Sequence, residues 1–105
     1  MSSHFMFTEE GFLKNGQGWT PELAQEIAIK QGITLTKAHW QVIHFVREFY
    51  ARHQTTPPLR VLVSLLRETY GPEQGSSVYL QNLFPPSAAL TIARIAGLPK
   101  PAKCI

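Results

Sequence analysis

Apolar residues recur at helical spacing in several stretches of this chain, and each stretch carries its own start and stop signals. That punctuation constrains the fold more than any other feature of the sequence. In "GWTPELAQEIAIKQG" Thr20 is placed to cap a helix, Pro21 fits its first turn, and Gly32 suits the position just past its end. Leu23, Ala24, Ile27 and Ala28 form the inner stripe of that helix. The next helix is capped by Thr36, with Leu35 placed to staple onto Trp40. Trp40, Val42, Ile43, Phe45, Val46, Phe49 and Tyr50 then give it a broad apolar face that runs to about Tyr50. "TTPPLRVLVSLLRETYG" repeats the grammar: Pro58 opens it, Leu59, Leu62, Leu65 and Leu66 pack, and Gly71 closes it. The loop "GPEQG" leads to a short helix from about Ser76 to Leu83, and "FPPSAALTIARIAG" gives a last helix from Ser87 to Ala96, ended by Gly97.

The pattern predicts a mainly α, small helical domain over residues 1–97. The helix from Pro58, the glycine-bounded turn and the helix from Ser76 resemble a helix-turn-helix in outline. Ahead of the helices, Phe5 and Phe7 alternate with polar neighbours and Gly11 precedes Phe12 and Leu13, as in a short β-hairpin or an extended start. After Gly97 the grammar changes. Pro99 and Pro101 push Leu98 and Lys100 toward extended geometry, and neither proline can donate to a backbone ladder. Residues 98–105 are expected to form a mobile C-terminal arm, semi-stiff and able to carry a side chain away from the body; many chain ends of this kind are simply frayed.

Composition narrows the chemistry. The chain has 105 residues, 44% of them hydrophobic and 16% charged, which suits one globular domain. It shows no apolar run long enough to span a membrane and no signal-peptide pattern at its start, and a single cysteine suits a reducing cytoplasm. No metal site is expected: His4, His39, His44 and His53 include no i, i+4 pair, and one cysteine cannot complete a zinc finger. Acid/base hydrolysis is poorly supported, because the chain has no Asp, no GxSxG elbow, and glutamates only at helix-surface spacings. "GQGW" lacks the lysine and the strand-to-helix setting of a phosphate loop. For a DNA-reading module, "SSVYLQNLF" is a weak recognition helix, with Gln81 and Asn82 as its only base-contacting side chains and no Lys or Arg. Trp19 and Trp40 have the chemistry to stack on bases, although the helical spacing of Trp40 points to the core.

The net charge of +3 is unevenly placed. All seven acidic residues lie in residues 1–73 with seven of the ten basic ones, whereas the last 32 residues hold Arg94, Lys100 and Lys103 and no acid. Such an end is either solvated surface or a segment drawn to an acidic partner or an RNA backbone. The one thiol, Cys104, sits in this basic end, outside any apolar periodicity, where it is either an incidental surface cysteine or an accessible nucleophile.

The segment "IAGLPKPAKCI" resembles the C-terminal signature of the TusE/DsrC family, in which a penultimate cysteine carries sulfur as a persulfide. "GFLKNGQGW", "LTKAHWQVIHFVREFY", the "PPLRVLV" helix and "SSVYLQNLFP" are similar to the same family in order and spacing, from about Gly11 onward. The start departs from the pattern, since the family's N-terminal strand pair is usually longer than "MSSHFMFTEE" permits. Members of the sulfite-reduction branch carry a second cysteine 11 residues before the penultimate one, and here that position is Ala93.

The resemblance therefore implies the branch of sulfurtransferases that serves tRNA 2-thiouridine synthesis. Cys104 would be the catalytic residue, accepting sulfur from a TusBCD-like complex and passing it to an MnmA-like tRNA thiolase. No cofactor or metal would be needed, and contact with tRNA would be indirect. Lys100, Lys103 and Arg94 are the candidates for guiding partners. The alternatives are a helix-turn-helix-like binding or regulatory module whose cysteine matters little, and a DsrC-like thiol/disulfide partner.

Overall fold

The computed structural model describes residues 7, 8, 10–13 and 18–101. Among them are five helices: α1 (Pro21–Lys30), α2 (Lys37–His53), α3 (Leu59–Tyr70), α4 (Ser77–Leu83) and α5 (Ala88–Ala96). None of the helices is long and apolar enough to cross a membrane. The expectation of a mainly α domain holds, and the predicted starts hold almost residue for residue because the signals that set them are local. Thr20 Oγ1 accepts the Leu23 N–H at 3.0 Å ahead of Pro21, and Ser76 Oγ accepts the Tyr79 N–H at 3.1 Å. Such a cap contributes about 1 kcal/mol. α1 buries Ala24, Ile27 and Ala28, and Gly32 then turns the chain at φ +78°.

α2 ends three residues later than its apolar face suggests. No glycine marks the stop; Gln54 takes the left-handed conformation at φ +57° and returns its N–H to Tyr50 O. At its other end His39 is a packed residue rather than a ligand. Its Nδ1 accepts the Thr36 N–H at 3.0 Å, and its Nε2 lies 2.8 Å from Leu83 O. A carbonyl oxygen can only accept, so Nε2 carries the hydrogen and ties the start of α2 to the end of α4.

α5 is the central element. It buries Ala88, Thr91, Ile92, Ala93, Ile95 and Ala96 and packs against α1, α2 and α4. The small side chains explain the packing: Ala93 and Ala96 on α5 and Ala24 and Ala28 on α1 are all fully enclosed, which lets helix axes approach closely. Ile92, Ile95, Val42, Ile43, Val46, Leu62, Leu66, Leu80 and Phe84 fill the remaining core, each large aliphatic side chain contributing about 1.5–3 kcal/mol on burial.

Of the expected N-terminal hairpin, the described residues show a turn closed by an antiparallel bridge between Phe7 and Leu13, and Phe5 lies outside the described residues. Thr8 N–H donates to Phe12 O at 2.7 Å and Gly11 N–H to Thr8 O at 3.0 Å. Phe12 and Leu13, each 2% exposed, anchor the turn in the core.

Candidate functional site

A helix leaves its last four carbonyls without partners inside the helix, and α5 satisfies all four in an unusual way. Leu98 N–H donates to Ala93 O at 2.9 Å and Gly97 N–H to Arg94 O at 3.3 Å, a local turn that requires the left-handed backbone of Gly97 at φ +73°. The other two partners come from far along the chain. Trp19 Nε1 donates to Ile95 O at 2.9 Å, and Arg47 Nη1 donates to Ala96 O at 2.6 Å. The Arg47 guanidinium also lies over the Trp19 ring, 3.7 Å from its centroid. Burial pushes the Arg47 pKa down from its ordinary value, yet an arginine so perturbed remains a cation at neutral pH. Its charge faces the negative end of the α5 dipole.

From this fixed end the chain continues across the surface. Leu98 is 3% exposed, Thr56 Oγ1 donates to Pro99 O at 2.8 Å, and Pro101 is buried. Arg94 and Lys100, two of the three cations expected to meet partners, converge on one residue. Arg94 Nε donates to the main-chain oxygen of Glu10 at 2.8 Å with its guanidinium 4.9 Å from the centroid of the Phe12 ring, and Lys100 Nζ lies 2.9 Å from Glu10 Oε2. The N-terminal turn is thus buttoned to the root of the tail.

These positions change three expectations. The tail was expected to leave the body at Leu98, whereas residues 98–101 lie on it: Leu98 joins the core, Pro101 is buried, and Pro99 and Lys100 have their own partners. Trp19 is unavailable for stacking on a base, since its ring is covered by Arg47 and its N–H is used. Gln81 is not a free base-contacting group either. Its Oε1 accepts the Ala88 N–H at 3.0 Å and so caps α5, where the Ser87 side chain makes no cap bond. Lys103 and Cys104 lie outside the described residues. Ala93, the place of the second cysteine in the resemblance, is 0% exposed and faces the core.

Composition could not have picked out Trp19, Arg47, Thr56 or Glu10, because their partners lie 76, 49, 43 and 90 residues away. The one local hint was Gly97, whose absent side chain leaves room for Trp19.

Comparison with known proteins assigns this arrangement to a family. A family model described as "DsrC like protein" matches residues 2–105. Sulfurtransferase TusE of Sodalis glossinidius is 52% identical over 96 residues, covering 91% of this chain and 89% of that protein. The sulfurtransferase TusE homolog of Haemophilus influenzae is 46% identical over 97 residues, covering 92% and 89%. Among solved structures, DsrC of Allochromatium vinosum superposes with a TM-score of 0.84 at 41% identity, over 94% of this chain and 88% of that one. The oxidized gamma-subunit of the dissimilatory sulfite reductase (DsrC) from Archaeoglobus fulgidus gives 0.77 at 33% identity, over 94% and 90%. With a match spanning nearly every residue and a shared fold at 41% identity, the chain belongs to the DsrC-like family.

Proposed function

We propose that this protein is a cytoplasmic sulfurtransferase of the relay type, which takes up sulfur as a persulfide on Cys104 and hands it on. The observation that carries the reading is the 52% identity, over 91% of the chain, to a protein named sulfurtransferase TusE. The sequence supports it with a single thiol, Cys104, in the tail that follows the fixed end of α5. The donor is a TusBCD-like complex and the acceptor an MnmA-like thiolase that modifies the wobble uridine of tRNA, so tRNA is met through the acceptor.

The chemistry is an exchange at sulfur. The Cys104 thiolate attacks the outer sulfur of a donor persulfide; the new S–S bond forms at Cys104 Sγ as the donor S–S bond breaks, and the donor leaves as a thiolate. No net oxidation occurs, so no cofactor is required. With Ala93 where a second cysteine would stand, the loaded chain has no thiol of its own to expel that sulfur as sulfide. This favours a carrier over a thiol/disulfide partner. Lys103, beside Cys104 in the sequence, is assigned to guiding acidic partners.

The test is Cys104→Ser, weighed intact after incubation with a cysteine desulfurase, the intervening relay and labelled cysteine. The wild-type chain should gain the mass of a sulfur and the variant none, with unchanged melting temperature. A variant that still gains sulfur would overturn the assignment.

A further inference from the structure

The side of α2 turned away from the core is left open. Val42, Ile43 and Val46 are buried, whereas Phe45, Glu48, Phe49 and Arg52 line a hollow of about 440 Å³ together with Val61 and Leu65 of α3. Phe45 and Glu48 also border a neighbouring hollow with Tyr70, so the opening continues along α2 toward its start. Its aromatic walls are braced by one another: the Phe49 ring lies 4.4 Å from the His53 ring, and the Phe45 ring meets that of Tyr70 edge-on at 6.2 Å. Val61 and Tyr70 are each 39% exposed.

The charges that line this hollow are one acid and one base, a helical turn apart. Glu48 and Arg52 sit on the same side of α2, 4.0 Å from one another, with side chains 68% and 73% exposed. A pair so long and so open to water contributes little within the chain, and both groups are available to other partners. A purely acidic surface would be repelled by Glu48, and a purely basic one by Arg52. The surface that satisfies both carries the same two charges in reverse order. α2 of another copy, run antiparallel, is such a surface.

We infer that the α2/α3 face is a docking site for a second copy of this chain, giving a weak two-fold dimer in which Glu48 of each copy meets Arg52 of the other. A two-fold axis makes the same patch serve on both sides, so the patch has to complement itself. With the axis crossing α2 midway between residues 48 and 52, each carboxylate falls opposite a guanidinium. Phe45, Phe49, Val61 and Leu65 of the two copies then close over the hollow between them. A contact through one helix and the edge of its neighbour is small and belongs to the transient class, with less than about 1,200 Å² buried in total. Arg47 reaches Ala96 O from the other side of α2, so docking leaves the end of α5 fastened as before.

Sedimentation equilibrium of the full chain reads the dimer directly, over a concentration series with a reductant present to keep Cys104 from forming disulfides. The wild type should pass from monomer to dimer below about 1 mM. Glu48→Arg or Arg52→Glu alone sets like charges opposite each other twice per dimer, and should weaken association about ten-fold. An equal mixture of these two variants again sets arginine against glutamate and should recover the wild-type midpoint, as should the chain carrying both substitutions. Val61→Glu, at an exposed position that leaves folding intact, puts a charge into the apolar centre and should weaken the dimer as well. A wild-type chain that stays monomeric to about 1 mM would overturn the inference; loss of donor-complex binding in Val61→Glu would then assign the face to that partner. A dimer that the single variants leave unchanged, or that their mixture fails to restore, would overturn it equally.

Discussion

Gly97→Ala is the sharpest probe of the helix end from which the tail departs. Gly97 sits at φ +73°, and a Cβ built on it would run into Cδ1 of Trp19 and come within 2.8 Å of its Cγ. The left-handed backbone alone costs an alanine about 1 kcal/mol. The collision is with a rigid ring, so Trp19 has to move. Moving it breaks the Nε1–H bond to Ile95 O, about 1 kcal/mol, and takes the ring from under Arg47, about 1 kcal/mol for a partly desolvated pair. The total of about 3 kcal/mol should lower the melting temperature by roughly 12–20 °C in a domain of this size. Urea titrations of Gly97→Ala, Trp19→Ala and the double variant give the decisive comparison. Once Trp19 is absent, Gly97→Ala should cost only the backbone share, about 1 kcal/mol. If the two single costs instead add to within about 0.5 kcal/mol, the proposed collision between residue 97 and Trp19 is wrong.

His39→Leu fills a similar volume but leaves Leu83 O without its donor, and should cost about 2 kcal/mol by urea midpoint; an unchanged midpoint would mean that the α2–α4 tie is idle. Ala93→Cys in a Cys104→Ser background adds a sulfur at a site with 0% exposure, and should cost about 1–3 kcal/mol through overpacking. Its thiol should alkylate far more slowly in the native protein than in urea, and equal rates would contradict the buried placement.

How much of this was legible in the sequence depended on range. Helix starts are set by a residue and a backbone group three positions away, so Thr20 and Ser76 declared themselves. The apolar stripes of α1 and α3 did so as well, because burial repeats with the helical period. Where a stop or cap depends on tertiary surroundings, the signal disappears: Gln54 ends α2 without a glycine, and α5 takes its cap from Gln81 in the preceding helix rather than from Ser87. The candidate site divides along the same line. Composition left Cys104 as readily an incidental surface cysteine as a nucleophile, and only the family resemblance drew attention to it, whereas the fastening of residues 98–101 left no mark in the sequence. Arg94 and Lys100 looked like free cations because their shared partner, Glu10, lies at the other end of the chain.

The fastening of α5 by Trp19 and Arg47 also has a mechanical side. A pull on the chain beyond Pro101 reaches the helix through Leu98 once residues 99–101 have yielded, and a helix held only by its own ladder would peel from that end one turn at a time. Here the load at Ile95 and Ala96 passes sideways into the segment before α1 and the middle of α2. Several bonds in different directions must then yield together, so a tug on the tail is borne by the whole domain.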